Sequence, residues 1–548
     1  MSNEANKKHS MVVQAGILAT AGIVVRIIGL LYNTPLVHVI GDEGFGYYDS
    51  AYAAYSIILL ISSYSIPSAI SKILSTYLAK KEYKNAFKIF KCTLIYVTIV
   101  GLIASLFVFF KADMLVKMES AILPLKILAP TIFFSGLLGS FRGFFQAQHS
   151  MVQTSISQII EQIFNAIFSV WMAYVLVNVA TKNNYSASMV ASYGASGSTI
   201  GTGVGVLSAL AVMLLIYFYN RKTILHKVYN DHSRNIMSYP QIFKMIFLVV
   251  TPFILSTGIY NINSFMDKTI YQIVLMNKKG ILESAVAFDL SAYAKANKIA
   301  NIPIAMSAAM ASTMIPRLSG LIATHKKEEA KSQVHKAIKV TMFISIPAAV
   351  GLGVLSKPVM QILFPQKDSL ALASAMLIIL SVTIILYGLS TLTQAVLQSI
   401  GHMTLPIINA LIAVVLHAVI MVIMMMVMPD KYMLYCYGIA TIVYSLILCI
   451  LNGIAVRKYL NYEQEIDVTF LRPMISAIGM GVVVFITYKL IYMGLKSNFI
   501  ALLVSIILGM FTYLFLCIKW KAVDEDELRA IPKGYLIVKF AKKIRLLK

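Results

Sequence analysis

Long apolar stretches recur along almost the whole chain and are separated by short polar connections. An α-helix needs about 20 mostly apolar residues to cross the hydrocarbon core of a bilayer. Because lipid offers no partners for backbone N–H and C=O groups, such stretches are expected to be helical. The pattern predicts an all-α polytopic membrane protein of about fourteen transmembrane helices, at residues 11–34, 47–79, 86–110, 121–147, 151–181, 190–219, 240–275, 287–323, 335–356, 369–400, 403–428, 432–456, 470–494 and 498–519.

Basic residues cluster in alternate connections, and such connections are cytoplasmic in most membrane proteins. The first intervening connection, residues 37–47, carries Asp42 and Glu43 and has no Lys or Arg. This alternation, with an even number of helices, predicts that both termini are cytoplasmic. The basic residues that define it are Lys80, Lys81, Lys84, Lys88, Lys91, Arg221, Lys222, Lys227, Arg234, Lys326, Lys327, Lys331, Lys336 and Lys339.

The composition agrees with a membrane protein. Of the 548 residues 59% are hydrophobic and 13% are charged, and the mean hydropathy is +0.78. A formal net charge of +24 can indicate nucleic-acid binding, but here much of it lies in the inner connections and the C-terminal tail. We therefore expect anionic membrane lipids as partners and no nucleic acid. The four cysteines lack metal-site spacing, so no metal is predicted.

The N-terminal segment resembles a signal peptide, because Lys7 and Lys8 precede an apolar run that contains Ala19-Thr20-Ala21. A secretory signal peptide is removed from the mature protein. The apolar run continues past that site to Pro35 and many further apolar stretches follow. We expect the segment to be retained as the first transmembrane helix.

Two weak internal repeats divide the chain. A shift of 252 residues pairs the helices at 121–147 and 151–181 with those at 369–400 and 403–428, and a second likeness joins the ends of the second and eighth helices. Two six-helix halves in parallel orientation are typical of alternating-access transporters. The predicted organisation is an N-lobe (1–220), a cytoplasmic linker (221–239), a C-lobe (240–458), two extra helices outside the repeat (459–519) and a basic cytoplasmic tail (520–548).

Cations inside apolar helices are the main candidates for a substrate site. A charge at the centre of a transmembrane helix costs about 3 kcal/mol on insertion scales, so it normally faces a partner or a cavity. Arg26 has four apolar or glycine residues on each side, and Lys295 and Lys298 share one helix face. We expect all three to contact an anionic substrate. The alternatives are a pair between Arg26 and Asp49 and an interfacial position for the two lysines.

Five further polar positions have open roles. Arg142 near a cytoplasmic helix end is a candidate substrate contact or an interfacial anchor, and Asp49 is a second candidate contact. Glu161 belongs to a polar stripe that is either an interhelical hydrogen-bond seam or a proton site. Asp267 and Asn263 are candidate ligands of a small cation, with a lysine pair as the alternative for Asp267.

Catalytic motifs are not found in the sequence. The glycine-rich stretch 194–205 lacks the Gly-Lys-Ser/Thr ending of a phosphate-binding loop, and its spacing favours close helix packing instead. A nucleophile elbow, a His-Glu-x-x-His motif and an acidic cluster are likewise missing from the sequence. We predict a protein that is not an enzyme and has no catalytic residues.

Several segments together resemble the oligosaccharidyl-lipid flippase superfamily, and within it the MurJ-like lipid II flippases of the Gram-positive YtgP and SpoVB type. They are Arg26-Ile-Ile-Gly29, Gly44-Phe-Gly46-Tyr-Tyr-Asp49, Ile66-Pro-Ser-Ala-Ile-Ser-Lys72 and the helix that ends in Gln146-Ala-Gln148-His149. The resemblance covers nearly the whole chain.

The resemblance implies a cavity between two lobes in which cations hold the diphosphate of lipid II on its way from the inner to the outer leaflet of the bacterial cytoplasmic membrane. It also implies that the two extra helices at 459–519 form a groove for the lipid tail. By position, Arg26 matches a cavity arginine of the family, Asp49 an acid and Lys298 a helix 8 arginine. Tyr32, Ser62 and Ser63 stand where better-studied relatives have arginines, which weakens the transfer of the diphosphate clamp. We expect Lys295 to compensate.

No cofactor is expected, because the membrane potential or a Na⁺ or H⁺ gradient can drive transport, and we expect a functional monomer. The rivals are a flippase for another undecaprenyl-linked polysaccharide, a multidrug or cation antiporter of the same superfamily, and a membrane scaffold or receptor without transport activity.

Overall fold

The chain folds as an assembly of helices. The computed structural model describes residues 20–64, 66–148, 150–233, 235–523, 525, 535, 538, 539 and 542. Every regular element in these residues is a helix and none is a strand, which confirms the predicted all-α class. The expectations for the signal-like segment up to residue 19 and for most of the basic tail lie outside the described residues.

Seventeen α-helices, numbered in chain order, make up the part of the chain that the structure describes. They are α1 (Thr20–Leu31), α2 (Asn33–Leu59), α3 (Ile66–Ala79), α4 (Tyr83–Phe110), α5 (Ala112–Leu115), α6 (Ile122–Ala147), α7 (Val152–Lys182), α8 (Ala187–Tyr229), α9 (Tyr239–Gln272), α10 (Glu283–Ala323), α11 (Lys327–Val354), α12 (Ser356–Leu363), α13 (Lys367–Ser399), α14 (Leu405–Val427), α15 (Met433–Leu460), α16 (Arg472–Leu495) and α17 (Asn498–Lys519).

Most of these helices can cross a membrane. Among the described residues, eleven helical stretches are long and apolar enough, and one of them, Asn33–Ala79, joins α2 to α3 through the π-helical turn Leu60–Tyr64. Two shorter apolar helices, Thr20–Leu31 and Tyr239–Thr251, accompany them. The protein is therefore a multi-pass membrane protein. Each predicted segment overlaps a described helix, although residues 11–19 of the first segment lie outside the described residues, and the count of fourteen stays a prediction.

The exposed surface of the last helices suits lipid. Ile408, Leu411 and Val415 are each at least half exposed on α14, and Met510 and Phe511 are 56% and 66% exposed on α17. Large apolar side chains on an outer surface are typical of helices that face hydrocarbon rather than water.

Contacts between residues divide the chain into two compact units, unit 1 (Met1–Ser291) and unit 2 (Ala292–Lys548). Each is described by itself. In unit 1 an aromatic cluster packs α4 against α6 and α8, with ring centroids of Phe90 and Phe144 4.4 Å apart. In unit 2 the rings of Tyr293 and Tyr437 stack at 4.1 Å and join α10 to α15. The predicted lobe boundaries stay predictions.

Two helices extend further than the hydrophobic pattern predicts. α2 begins at Asn33 and includes one non-helical residue, Gly41, with φ +70° and ψ −179°, a conformation that favours glycine. α8 continues to Tyr229 through Arg221, Lys222 and Lys227, so half of the predicted linker is helical. Lys and Arg are good helix formers, and their charge is favourable near a helix C-terminus.

The glycine-rich stretch packs α8 closely against α7, as its spacing predicts. A Cβ atom added at Gly205 would lie 2.6 Å from the backbone oxygen of Glu161, and one at Gly201 would overlap the backbone of Ser169. The same face carries a hydrogen bond from the Ser169 hydroxyl to the Ser198 carbonyl at 2.9 Å. Close helix packing, rather than phosphate binding, explains these glycines.

Candidate functional site

Arg26 lies in the middle of α1 and is exposed. Its neighbours Ile23 and Ile27 are 50% and 48% exposed. The helix continues to Leu31, and the side-chain amide of Asn33 donates a hydrogen bond to the Gly29 carbonyl at the junction with α2. Arg26 is thus an accessible cation within an apolar helix, and its predicted contact with the substrate stays a prediction.

Asp49 forms an ion pair with Lys268, whose Nζ lies 2.6 Å from the Asp49 Oδ2 atom. The Lys268 ammonium also donates to the Asp49 carbonyl at 3.4 Å. Both side chains are largely buried, at 15% and 9% exposure. The pair ties α2 to α9. The sequence offers Arg26 as a possible partner of Asp49. In the structure Asp49 pairs instead with Lys268, which lies 219 positions further along the chain.

Further hydrogen bonds surround this ion pair on the same side of unit 1. The Gln272 amide donates to the Ser50 hydroxyl at 3.0 Å, and the Ser291 hydroxyl donates to Asp42 at 3.2 Å. Gly46 lets α2 approach α10, because a Cβ atom there would overlap the Ala287 backbone. We call the contacts of Asp49, Ser50, Lys268 and Gln272 the α2–α9 contact set.

Arg142 forms an ion pair with Glu161. The Arg142 Nη2 atom lies 2.6 Å from Glu161 Oε2, and the Arg142 Nε–H donates to the Ser157 hydroxyl at 2.9 Å. Their side chains are 14% and 29% exposed. The pair connects α6 to α7, so Arg142 is held inside unit 1 by an acid as well as lying near a helix end. Its contact with substrate stays a prediction.

The Arg142–Glu161 pair lies in a cavity of about 490 Å³ within unit 1, which we call the unit 1 polar cavity. α2, α3, α6, α7 and α8 contribute its walls. The lining is rich in amide and hydroxyl groups: Tyr52, Tyr55, Ser68, Ser135, Gln146, Thr154, Gln158, Gln162, Asn165 and Thr202. The polar stripe that the sequence predicts on α7 forms one wall of this cavity.

The same stripe also takes part in interhelical hydrogen bonds, one of its two predicted roles. The side-chain oxygen of Asn165 accepts from the Thr202 hydroxyl of α8 at 3.4 Å, and the Ser169 hydroxyl donates to the Ser198 carbonyl of α8 at 2.9 Å. Glu161 is ion-paired as described. The stripe therefore contributes both to helix packing and to the cavity.

Lys295 and Lys298 lie on α10 in unit 2. Lys295 is fully buried, and its ammonium donates to the Ser369 hydroxyl at 2.8 Å and to the Gln366 side-chain oxygen at 3.4 Å. The same group lies 5.8 Å from the Phe364 ring centroid. Lys298 is half-buried. The chain thus solvates the Lys295 cation with neutral oxygens and an aromatic face.

The candidate cation ligands Asp267 and Asn263 lie one turn apart on α9 and are buried, at 2% and 9% exposure. Their spacing places them on one helix face. A group of three or more His, Cys, Asp or Glu residues that could hold a metal ion does not occur in the part of the chain that the structure describes. Cation binding at Asp267 and Asn263 stays a prediction.

The predicted site residues thus fall into separate groups. Arg26, Asp49, Arg142, Asp267 and Asn263 belong to unit 1, and Lys295 and Lys298 belong to unit 2. Sequence analysis missed Lys268 as the partner of Asp49 and missed Gln158 and Gln162 as cavity walls. The signal for the two glutamines was present, since Gln158 lies three positions before Glu161 and four before Gln162, which is helical spacing. No such signal exists for Lys268, because its contact with Asp49 arises only where α2 and α9 meet in the folded protein.

Two family models match the sequence. The model described as polysaccharide biosynthesis protein matches residues 12–322, more than half of the chain. The MatE model matches residues 269–423.

Relatives extend the match over nearly the full length. The lipid II flippase MurJ of Bacillus subtilis (strain 168) is 25% identical over 85% of this chain and 86% of that protein. Stage V sporulation protein B of the same strain is 22% identical over 95% of this chain and 98% of its own. A solved structure of lipid II flippase MurJ in an inward closed conformation has a TM-score of 0.65 and 17% identity, and covers 91% of this chain and 97% of that one. The last likeness establishes a shared fold.

Proposed function

Because this chain belongs to the polysaccharide biosynthesis protein family, we propose that it is a flippase for a diphosphate-linked polyprenyl saccharide. The substrate that the relatives favour is lipid II, since the lipid II flippase MurJ of Bacillus subtilis matches 85% of the chain. The protein moves this lipid from the inner to the outer leaflet of the cytoplasmic membrane for peptidoglycan synthesis, and both termini are cytoplasmic. The lipid II flippase MurJ of Bacillus subtilis carries a name that describes transport and not catalysis, in agreement with the prediction that the chain is not an enzyme.

The observation that carries this proposal is a cation at membrane depth. Arg26 lies between exposed apolar residues of α1, where a charge costs about 3 kcal/mol on insertion scales. A diphosphate is the complementary anion, and moving it through hydrocarbon without a counter-charge is prohibitive. Lys298 is the further cation that the proposal assigns to the lipid headgroup. Lys295 is fully buried and donates to Ser369 and Gln366, so it reaches the headgroup only in a conformation in which these contacts open. Asp49, a further candidate contact, is paired with Lys268.

Transport proceeds by alternating access. By the positive-inside prediction the α2–α9 contact set lies at the outer end of unit 1, so it closes the outer side when it is formed. Release of substrate to the outer leaflet requires the Asp49–Lys268 ion pair and the Gln272–Ser50 hydrogen bond to separate. Both charges of the ion pair are largely buried, so when the set opens each side chain must be solvated or find a new partner.

The membrane potential can drive the cycle without a cofactor. With the cell interior negative, each charge that crosses is worth about 2.3 kcal/mol per 100 mV, which favours outward movement of an anion. Asp267 and Asn263 are the candidate ligands if Na⁺ or H⁺ is coupled as well.

A second candidate function has one observation in its favour. The MatE model matches residues 269–423, and solved MATE structures carry titles that describe multidrug resistance transporters. Such an antiporter would export an organic cation.

One assay separates the two functions. The protein is reconstituted in vesicles with a fluorescent polyprenyl diphosphate disaccharide, and the fraction of probe that a membrane-impermeant quencher reaches is followed with time. We expect translocation of the lipid and no export of ethidium from the same vesicles. Ethidium export without lipid translocation would establish the antiporter instead.

A further inference from the structure

The unit 1 polar cavity has the size and chemistry of a binding site for an uncharged polar molecule. Its volume of about 490 Å³ lies within the range of roughly 300–1,000 Å³ that small-molecule sites occupy. Arg142 and Glu161 are opposite in charge and 2.6 Å apart, and the other lining residues are uncharged. The cavity is therefore close to neutral, and an anion gains little there.

Amide side chains dominate one wall of the cavity. Gln158 and Gln162 are half-buried on α7 and line it together with Asn165. An amide offers two donors and a carbonyl acceptor, which match hydroxyl and acetamido groups that both donate and accept. Tyr52 of α2 also lines the cavity and is 40% exposed, so its ring is available to pack against the apolar C–H face of a sugar.

The position of the cavity suits a substrate that enters from the cytoplasm. It begins at Gln146 and Thr154, beside the junction of α6 and α7 that the topology places on the cytoplasmic side. It reaches Asn165, eleven residues further along α7, which is about 16 Å at 1.5 Å per residue. The cavity thus occupies about half of a hydrocarbon core of roughly 30 Å.

We infer that the unit 1 polar cavity binds the uncharged saccharide portion of the transported lipid, while the diphosphate is held by cations elsewhere in the chain. This inference rests on the proposed flippase function and deepens it. In this role Arg142 and Glu161 neutralise each other's charge and also hydrogen-bond sugar hydroxyls. Hydrogen bonds to these two side chains are strong because both side chains are ionised.

The test compares two lipids on the purified full-length protein. One is undecaprenyl diphosphate, and the other is the same lipid bearing an N-acetylated disaccharide. The ratio of their dissociation constants measures what the saccharide contributes. We expect the sugar-bearing lipid to bind at least about tenfold more tightly to the wild-type protein, as several new hydrogen bonds provide.

Gln158→Leu and Gln162→Leu should each reduce that ratio by about threefold to tenfold, the effect of one or two lost hydrogen bonds. Their affinity for sugar-free undecaprenyl diphosphate should stay within about twofold of wild type, which also shows that the variants are folded. Asn183→Leu is the matched control at the end of α7, because Asn183 is exposed and donates only to the Val179 carbonyl of its own helix. This control should leave both affinities unchanged.

Three outcomes overturn the inference. A wild-type protein that binds the two lipids equally has no saccharide site, although the proposed flippase function survives. Glutamine variants that keep the wild-type ratio place the saccharide elsewhere. A wild-type protein that binds neither lipid contradicts the proposed function itself, and the inference with it.

Discussion

The Arg142–Glu161 ion pair shows how a charged side chain inside a membrane protein is stabilised by an opposite charge. Neither side chain is fully buried, at 14% and 29% exposure, so the pair lies between the weak surface case and the costly buried case. Removing one partner leaves the other charge without its counter-ion in a cavity bounded by helices.

We predict that Glu161→Gln lowers the free energy of unfolding by about 1–3 kcal/mol. The double variant Arg142→Gln/Glu161→Gln should recover part of that loss, because no uncompensated charge remains. Thermal unfolding in detergent measures both. Glu328→Gln is the control, since Glu328 pairs with Lys331 at 2.8 Å but is 84% exposed, and it should change the unfolding midpoint little. A double variant less stable than the single one would contradict this account.

At the residue scale, the sequence identifies the charged positions inside apolar segments better than it predicts the partners of those charges. Arg26, Asp49, Arg142 and Glu161 stand out because charges are rare in apolar segments. Their partners depend on helix crossings, as the distance of 219 positions between Asp49 and Lys268 illustrates. Lys295 is a second case, because its contacts with Gln366 and Ser369 come from a neighbouring element.

Helix packing in unit 1 depends on the glycines of α8. Gly201 meets the backbone of Ser169 on α7, so even a methyl group has no space there. Side chains that cannot be accommodated force helices apart, which typically costs about 1–3 kcal/mol and sometimes more.

We predict that Gly201→Val destabilises the protein by at least about 2 kcal/mol and lowers the yield of folded protein. Thermal unfolding and size-exclusion profiles in detergent are the measurements. Gly453→Ala on α15 is the control, because nothing lies within 4 Å of an added Cβ atom there. It should be neutral or slightly stabilising. Wild-type stability of Gly201→Val would show that α7 and α8 are not packed as described.

The segment after α8 is held to the start of α4 by a carboxylate. Asp231 accepts the backbone N–H of Lys84 and that of Ser233, both at 2.7 Å. Burial acts to raise the pKa of Asp231, but these hydrogen bonds outweigh it and lower the pKa below its ordinary value. A lowered folded-state pKa means that the stabilisation is complete above the unfolded pKa and is lost as the pH falls through the folded value.

Asp231→Asn should therefore destabilise the protein near neutral pH and should differ less from wild type in strong acid, below the ordinary Asp pKa of about 3.9. The difference in thermal unfolding midpoint between the two proteins, followed from neutral pH into strong acid, measures this. Asp430→Asn serves as a comparison, because it removes a carboxylate that is exposed in another connection, whereas Asp231 is buried. A difference that stays constant with pH would rule out the carboxylate as the cause.

The hydrophobic pattern predicts well that a helix is present, and it predicts less well where that helix begins and ends. The repeat offset is an example of success, because α6 ends at Ala147 and α13 at Ser399, which are 252 positions apart. The extension of α8 to Tyr229 escapes prediction because the added turns are polar. They lie beyond the apolar stretch but continue the same helical backbone.

At the scale of the whole molecule, the fold class follows from the length and number of apolar stretches, and the MurJ-like fold agrees with it. Lobe boundaries, the count of spans and the coupling ion are less accessible to sequence, because they depend on long-range packing and on small differences in affinity. The unit 1 polar cavity was unpredicted for the same reason, since five helices contribute to it.

Alternating access predicts that a covalent link across the α2–α9 contact set stops transport. Ser50 Oγ and Gln272 Nε2 are 3.0 Å apart, so Ser50→Cys/Gln272→Cys in a background without the four native cysteines should be joined by a short bifunctional thiol reagent whose linker contains a reducible disulfide. Lipid translocation should then cease and should return after reduction. Either single cysteine variant should transport under both conditions. Undiminished transport by the cross-linked protein would exclude opening of the α2–α9 contact set during transport.

The most direct test of the central claim is the leaflet distribution of lipid II in the host cell. The protein is depleted in a strain that has no other flippase for this lipid, and the fraction of lipid II accessible from outside is measured with and without plasmid-encoded variants. We predict that depletion traps lipid II in the inner leaflet, that the wild-type gene restores outward exposure, and that Arg26→Ala inserts normally but does not restore it. Unchanged outward exposure of lipid II after depletion would contradict the proposed function.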